Sequence, residues 1–270
     1  MVCATRPIHI SRIMTDDATL RLGAFLAVFA AAALWEGLAP ARPRKFSRAW
    51  RWPNNLGLVA LDTLLVRLAL PGIGFAAAFW AQSRGFGLFN ALDAPFWLAF
   101  AACLVALDFA VWAQHVAVHK VPFLWRLHRV HHADPDFDAT TGLRFHPGEI
   151  LLSALYKAAI AALLGAPPEA VLAFDILLNA GALFTHANAA LPSGLDRAIR
   201  RIFVTPDMHR IHHSPDRAET DSNYGFNLAL WDRLFGTYRA ESARGEIGLE
   251  RFGARGDQRL DRLLVQPLAD

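Results

Sequence analysis

Cysteine is nearly absent from this 270-residue chain: Cys3 and Cys103 are all it has. Two isolated thiols cannot staple a disulfide scaffold, and they are too few to hold an iron–sulfur cluster. Charge is sparse as well, with 19% charged residues and a net charge of +3. The basic residues form no dense stripe with interleaved aromatics, so no nucleic-acid partner is expected. Glycine and proline follow no period, which excludes a collagen-like or low-complexity chain. The His-Glu-x-x-His signature of many zinc hydrolases is missing too.

Hydrophobic residues, by contrast, make up 54% of the chain and mean hydropathy is +0.26, which points away from an ordinary soluble enzyme. A bilayer core of roughly 30 Å needs about 20 mostly apolar residues as helix. Leu22 to Ala39 is such a run, with Glu36 near its end. Asn55 to Gln82 is a second, interrupted by Asp62, Arg67 and a Pro71-Gly72 pair that should kink it. Ala94 to His119 is a third, apolar until Asp108. Ile150 to Ala190 is split by Gly165-Ala166-Pro167-Pro168 and reads as a helical hairpin, its first arm, Ile150 to Leu164, short for a full crossing. The expected fold is an all-α integral membrane bundle of about four transmembrane helices with a histidine-rich cap. An N-terminal segment (1–21) precedes transmembrane helices over 22–119, a hairpin and histidine region over 120–240, and a loose solvated tail over 241–270. Asp16 and Asp17, just ahead of a run too long for a signal peptide, mark the first run as a retained span. Arg42, Arg44, Lys45, Arg48 and Arg51 follow it with no acid among them, which puts that loop in the cytoplasm. The third span then runs inward, so the clustered histidines are expected on the cytoplasmic side.

Eleven histidines are present, and all but His9 fall between His115 and His213. Eight of them form three clusters: His115-x3-His119, His128-x2-His131-His132 and His209-x2-His212-His213. Helix positions i, i+3 and i+4 share a face, so each cluster can aim its imidazoles at one point and hold a metal. One such pair could be coincidence; three groups at a membrane boundary need partners for their ring nitrogens. Eight imidazoles exceed the ligand set of one tetrahedral zinc, so two metals are the natural count. Imidazole suits iron, copper, nickel and zinc alike, and the element stays open on ligand type alone.

Other polar residues bear on the same region. His186, near the end of the second hairpin arm, reads as a ninth ligand or as a histidine hydrogen-bonded inside the hairpin. Asp175 and Asn179 precede it on one helix face, a polar stripe aimed at the metals. Asp108, seven residues before His115, reads as a carboxylate taking the second N–H of a ligand, or else as an ion-pair partner of Arg67. His146 stands before the hairpin as a ligand, a donor behind the ligands or a helix cap. Asn223-Tyr224-Gly225 reads as a turn and Trp231 to Thr237 as an amphipathic interfacial segment; Asn223 and Asp232 are further candidates behind the ligands. Phe75, Phe79, Trp80, Phe96 and Trp97 are expected against neighbouring helices or lipid rather than in a tunnel.

The three histidine clusters, in this order and spacing, resemble the histidine boxes of the fatty acid hydroxylase and sterol desaturase superfamily. Asn223-Tyr224-Gly225 and the Trp231–Thr237 stretch resemble its C-terminal signature, and Asp108 falls where members carry an acid before the first box. The resemblance covers roughly residues 50 to 240. It implies a non-haem di-iron site (two Fe per chain) held by His115, His119, His128, His131, His132, His186, His209, His212 and His213, with O2 as oxidant. It also implies a lipid or sterol-like substrate that is hydroxylated or desaturated after reaching the site from the bilayer. No flavin, haem or iron–sulfur motif occurs, so an external ferredoxin, rubredoxin or cytochrome is expected to supply electrons. A membrane zinc-dependent hydrolase is the rival enzyme class, but no carboxylate lies inside the boxes to act as base. A metal transporter would place its ligands nearer the bilayer midplane.

Overall fold

The computed structural model describes residues 7–243 and 245–269, with side chains described from residue 19 onward. Cys3 and the side chains of Asp16 and Asp17 lie outside the described residues. Among those described, regular structure is helical throughout; the strand-like pairings are two isolated bridges, Pro40 with Ala189 and Phe203 with Leu228. In chain order the helices are α1 (Pro7–Leu38), α2 (Arg48–Ala69), α3 (Ile73–Ser83), α4 (Leu88–Ala91), α5 (Phe96–Lys120), α6 (Pro122–His132), α7 (Pro147–Leu164) and α8 (Pro168–Thr185). Five shorter ones follow: α9 (Ser193–Ile199), α10 (Pro206–His212), α11 (Arg217–Thr220), α12 (Leu230–Leu234) and α13 (Leu260–Val265).

Five stretches are long and apolar enough to cross a membrane: Thr19–Leu38, Arg48–Ala91, Phe96–Lys120, Pro147–Leu164 and Pro168–Thr185. The fourth apolar region of the sequence supplies two of them, the hairpin arms α7 and α8. Their outer faces show Leu34, Leu68, Trp97 and Leu163 uncovered, a surface suited to lipid and not to water. Phe79, Trp80 and Phe96 lie on that outer surface as well. Inside, α1 packs on α8, α3 on α7, and α5 on α6, α7 and α8. Leu107 and Val111 of α5 meet Phe174 of α8 in one of the buried clusters.

Pro71 and Gly72 do more than kink the second region: α2 stops at Ala69, Gly72 takes a φ of 62° and α3 begins at Ile73. At the hairpin tip Gly165 closes α7 in the left-handed conformation (φ 66°) and Pro168 opens α8. Gly87, at φ 96°, lies so close that a Cβ there would sit 2.2 Å from the Gly165 nitrogen. α7 starts at Pro147, earlier than the apolar run alone suggests, and its 18 residues span about 27 Å, nearly a full hydrocarbon core.

The opposite ends of the long helices converge. Buried Arg51, in the first turn of α2, holds Asp134 through Nε (3.0 Å) and Nη2 (2.5 Å) and Asp138 through Nη1 (2.5 Å). Glu36 of α1 accepts from the backbone N–H of Ala139 (2.7 Å) and Asn188 (3.0 Å) and pairs with Arg48 (2.6 Å). Two of the arginines that bear on topology are thus tied to acids on other elements, Arg51 to the loop after α6 and Arg48 to α1. The loop after α6 is bolted to α1, α2 and the end of α8, which fixes the histidine region on the bundle.

The tail differs from the loose extension expected. Leu263 is fully buried beside Leu58 and Val130, Gln258 accepts from Arg144 (2.5 Å) and donates to the Ala133 carbonyl (3.3 Å), and Arg129 donates to the carbonyls of Gln266 (2.5 Å) and Ala269. Its Gly- and Arg-rich composition conceals the spaced leucines Leu260, Leu263 and Leu264 that seat it.

Candidate metal centre

The nine histidines converge as two buried groups, one of His115, His119, His128, His132 and His212, the other of His131, His186, His209 and His213. Within each group one ring nitrogen per residue lies within 4.8 Å of all the others. The second and third clusters do not each hold one metal, as the spacing suggested; each is divided. On α6 His128 and His132 turn to the five-histidine group and His131 to the other, whereas on α10 His209 and His213 join the four-histidine group and His212 the first. At about 100° per residue, i+4 lies about 40° round from i in one direction and i+3 about 60° in the other, so one shared face can still divide between two neighbouring groups. Both short helices are started by a proline at the first position, and Thr205 caps α10 by accepting from the Met208 N–H at 3.3 Å.

Hydrogen bonds decide where the protons sit. His115 Nδ1 is 2.7 Å from the Tyr224 carbonyl oxygen, His212 Nδ1 is 2.7 Å from that of Ser222, and His128 Nδ1 is 2.7 Å from Glu149 Oε1. Carbonyl and carboxylate oxygens accept, so each Nδ1 carries the proton and each Nε2 is left with a lone pair. Yet His115 Nε2 lies 3.1 Å from His128 Nε2 and 3.0 Å from His212 Nε2. Three lone pairs facing one another repel unless a cation stands among them. The four-histidine group repeats the pattern: His186 Nδ1 donates to the Ala182 carbonyl (2.8 Å), and its Nε2 faces the Nε2 atoms of His131 (3.1 Å), His209 (3.1 Å) and His213 (3.2 Å). Two nitrogens held on one ion at about 2.1 Å lie about 3.0 Å apart at a right angle and about 3.4 Å apart at the tetrahedral angle. The observed spacings fall in that range.

The remaining orphans agree. Neither ring nitrogen of His119 or His132 has a hydrogen-bond partner, and His119 Nδ1 is 3.6 Å from Asp221 Oδ1, too long for a hydrogen bond. Burial holds His186 down to about 4 and His212 down to about 3; His131, His132, His209 and His213 are lowered well below the ordinary value by burial first and by neighbouring histidines second. These rings are neutral at physiological pH, the form that binds metal. A buried, all-imidazole donor set fits a pair of first-row transition ions, and among the described residues no carboxylate belongs to either group.

Behind the ligands the structure sorts the other candidates. Asp232, fully buried, accepts from Trp112 Nε1 (3.1 Å), Tyr224 N (2.9 Å), Gly225 N (2.8 Å) and Thr237 Oγ1 (2.7 Å), and so sets the carbonyl that holds His115. Asn223, at φ 51°, donates to the carbonyls of Met208 (3.0 Å) and Arg239 (2.9 Å), tying α10 to the loop after α12. Asp108 takes no histidine N–H: it accepts from Asn227 Nδ2 (2.9 Å), Leu228 N (3.3 Å) and Trp231 Nε1 (2.8 Å). Two helical turns below His115, roughly 10 Å, it anchors the C-terminal segment instead. Asp175 and Asn179 are not aimed at the metals either. Asp175 pairs with Arg21 (2.5 Å) and Lys157 (3.2 Å), because cations on α1 and α7 are nearer to it than any ligand, and Asn179 donates to the Asp175 carbonyl. His146 caps α7: its Nδ1 accepts from Gly148 N (3.1 Å) and its Nε2 donates to the Leu264 carbonyl (3.2 Å), which uses both nitrogens. Glu149, which holds His128, is marked in the sequence only as an acid in the first turn of the hairpin helix. Beside it, between α5, α6 and α7, lies a cavity of about 340 Å³.

The nine histidines, with Asp108 and Asp232, lie within the span that decides the relationship: the fatty acid hydroxylase family profile matches residues 100–237. The chain belongs to the fatty acid hydroxylase family. The matched span runs from α5 to Thr237, the residue that closes on Asp232, so the family region takes in both histidine groups and Asp232 behind them. Among curated family relatives, an ornithine lipid hydroxylase of Rhizobium tropici is 31% identical over 195 residues, 70% of this chain and 54% of that protein. Human alkylglycerol monooxygenase is 31% identical over 171 residues, 63% of this chain and 36% of the enzyme. A cholesterol 25-hydroxylase-like protein of Danio rerio is 31% identical over 143 residues, 52% of this chain and 55% of that one. The matches span about half the length of these relatives or less. No solved structure matches the chain. Apolar spans and family together make it an integral membrane protein.

Proposed function

We propose that this protein is a membrane-bound non-haem di-iron oxygenase that hydroxylates or desaturates a lipid or sterol-like substrate. The observation that carries this reading is the pair of buried groups in which neutral histidines turn Nε2 lone pairs on one another at 3.0–3.2 Å. The nine histidines would hold one iron per group. Bound there, iron supplies what an unactivated C–H bond requires, the activation of O2 with two electrons from an external ferredoxin, rubredoxin or cytochrome. For hydroxylation the balance is R–H + O2 + 2 e⁻ + 2 H⁺ → R–OH + H2O. The chain's own part is positional. Glu149 and the carbonyls of Tyr224, Ser222 and Ala182 hold the Nδ1 protons and so keep Nε2 free toward the metal. Phe137 and Phe145, packed against the four-histidine group, help exclude water. The cavity beside α5, α6 and α7, walled mainly by alkyl side chains and by Glu149, which holds His128, offers an apolar chain a place next to this support of the five-histidine group. The positive loop after α1 supports a cytoplasmic position for this end of the bundle.

Replacing His131 or His212 with Ala tests one group each. Either change should abolish oxygen-dependent product from a lipid extract while the protein stays folded in the membrane. Activity retained in both variants would contradict the reading; product formed without oxygen would favour a hydrolase.

A further inference from the structure

The C-terminal half of the histidine cap carries an apolar surface that neither metal group uses. Two backbone hydrogen bonds, Val204 N to the Asn227 carbonyl and Ala229 N to the Ile202 carbonyl (both 2.9 Å), lay the segment after α9 beside the start of α12. Together they leave Ile202 59%, Phe203 51%, Leu234 66% and Phe235 52% exposed, and Leu230 is uncovered as well. Large apolar side chains gathered on one face mark a contact with another apolar phase. The depth of this face is set by α5. Phe235 stacks on Trp112 (ring centroids 4.6 Å) and Phe109 (5.8 Å), and Trp231 packs on Phe109 (5.0 Å) while its Nε1 donates to Asp108 (2.8 Å). These α5 residues belong to the membrane-spanning stretch Phe96–Lys120. A hydrocarbon core of roughly 30 Å takes about 20 residues of helix, so a core that begins at Phe96 ends near Val116, and Phe109 lies about 10 Å inside that edge. Val105, exposed one turn below Phe109, continues the surface along the span. At the rim, Arg201 directly precedes Ile202 and Arg197 stands four residues earlier on α9. Both are exposed, and among the described residues neither is engaged by a hydrogen bond or an acid; Asp196, the acid of α9, is buried and held by Arg200.

We propose that this face is sunk in the leaflet around α5, with Leu230, Leu234 and Phe235 against acyl chains, and that Arg197 and Arg201 hold anionic phospholipid headgroups at its rim. The occupant is lipid of the surrounding membrane and not a second copy of the chain, because the face continues the outer side of a spanning helix and its rim is opposite in sign to an anionic leaflet. The inference rests on the membrane-spanning assignment of α5 and is independent of the oxygenase reading. Its consequence for the site is one of level. His115, six residues past Phe109 and so about 9 Å further along the axis, lies at the edge of the hydrocarbon, and the five-histidine group sits at headgroup depth instead of standing off in water.

The test is fluorescence quenching of bimane labels on the full chain in liposomes, in a Cys3→Ser background where buried Cys103 does not react. Labels are placed singly at the exposed positions Leu234→Cys, Val105→Cys and, as the reference in water, Glu241→Cys. The Leu234 label should be quenched by 5-doxyl phosphatidylcholine and shielded from iodide, as the Val105 label is, whereas the Glu241 label should show the reverse. At equal mole fraction 5-doxyl phosphatidylglycerol should quench the Leu234 label about fivefold more effectively than the choline lipid, the preference that one basic side chain gives near an anionic surface. Arg197→Gln combined with Arg201→Gln, which removes no bond of the fold, should bring the two lipids level and keep the shielding from iodide. A Leu234 label as open to iodide as the Glu241 label would overturn the proposal. So would a Leu234 label reached by neither quencher but close to its counterpart on another chain, the mark of a second copy on this face. An absent phosphatidylglycerol preference, or one that survives the double substitution, would overturn the role of the two arginines. A Val105 label open to iodide would instead overturn the spanning assignment of α5.

Discussion

Asp232 is the side chain on which most of the C-terminal support of the metal centre depends. Its Oδ1 accepts from Trp112, Tyr224 and Thr237 and its Oδ2 from Gly225. In Asp232→Ala the Thr237 hydroxyl can turn elsewhere, but two backbone N–H groups and an indole N–H are left buried and unpaired. At about 1–3 kcal/mol for each orphaned donor, discounted for relaxation, the loss is roughly 3–6 kcal/mol. That is a large share of a stability of about 5–15 kcal/mol. Asp232→Asn can retain the Oδ1 contacts and turns one N–H toward the Gly225 N–H, so its cost should be about 1–3 kcal/mol. The order wild type, Asn, Ala should appear in thermal unfolding midpoints in detergent. A second readout separates position from stability alone. Because the Tyr224 carbonyl holds His115, iron should leave the five-histidine group first, and Asp232→Ala should fall from about two irons per chain toward about one. An Asp232→Ala protein with unchanged midpoint and full iron would refute the argument.

Arg51→Met should destabilise by about 3–5 kcal/mol, since it removes the cation hydrogen-bonded to both buried carboxylates and leaves Asp134 with Arg144 at 3.7 Å and Asp138 with neutral donors from Trp52 and Thr140. Arg48→Met should cost clearly less, because Glu36 keeps two backbone donors; equal midpoints for the two variants would count against the buried network. Gly87→Ala should lower the unfolding midpoint, as its Cβ would meet backbone atoms of Gly165 and Ala162 at 2.2 and 2.5 Å and its φ of 96° is strained for alanine. An unchanged midpoint would mean the hairpin tip is not seated as described.

The histidine boxes were legible because i, i+3 and i+4 spacing on a helix is a local property, and apolar length exposes membrane spans in the same local way. What was hidden is long-range. Periodicity fixes which side of a helix a residue occupies but not which neighbour waits there, so Asp108 and Asp175 were assigned to ligands when Trp231 and Arg21 were nearer. The carbonyls of Tyr224, Ser222 and Ala182 hold three ligands, and a main-chain oxygen leaves no mark in a sequence. Glu149 passed as an ordinary first-turn acid. The division of two boxes between two groups follows from the crossing of α6 and α10, which neither helix specifies alone.

Metal content separates a dinuclear iron site from every other reading of the nine histidines. Elemental analysis of the detergent-purified protein from iron-replete cells should give about two irons per chain, one for each histidine group. A single zinc unaffected by iron supply, or no metal at all, would contradict it.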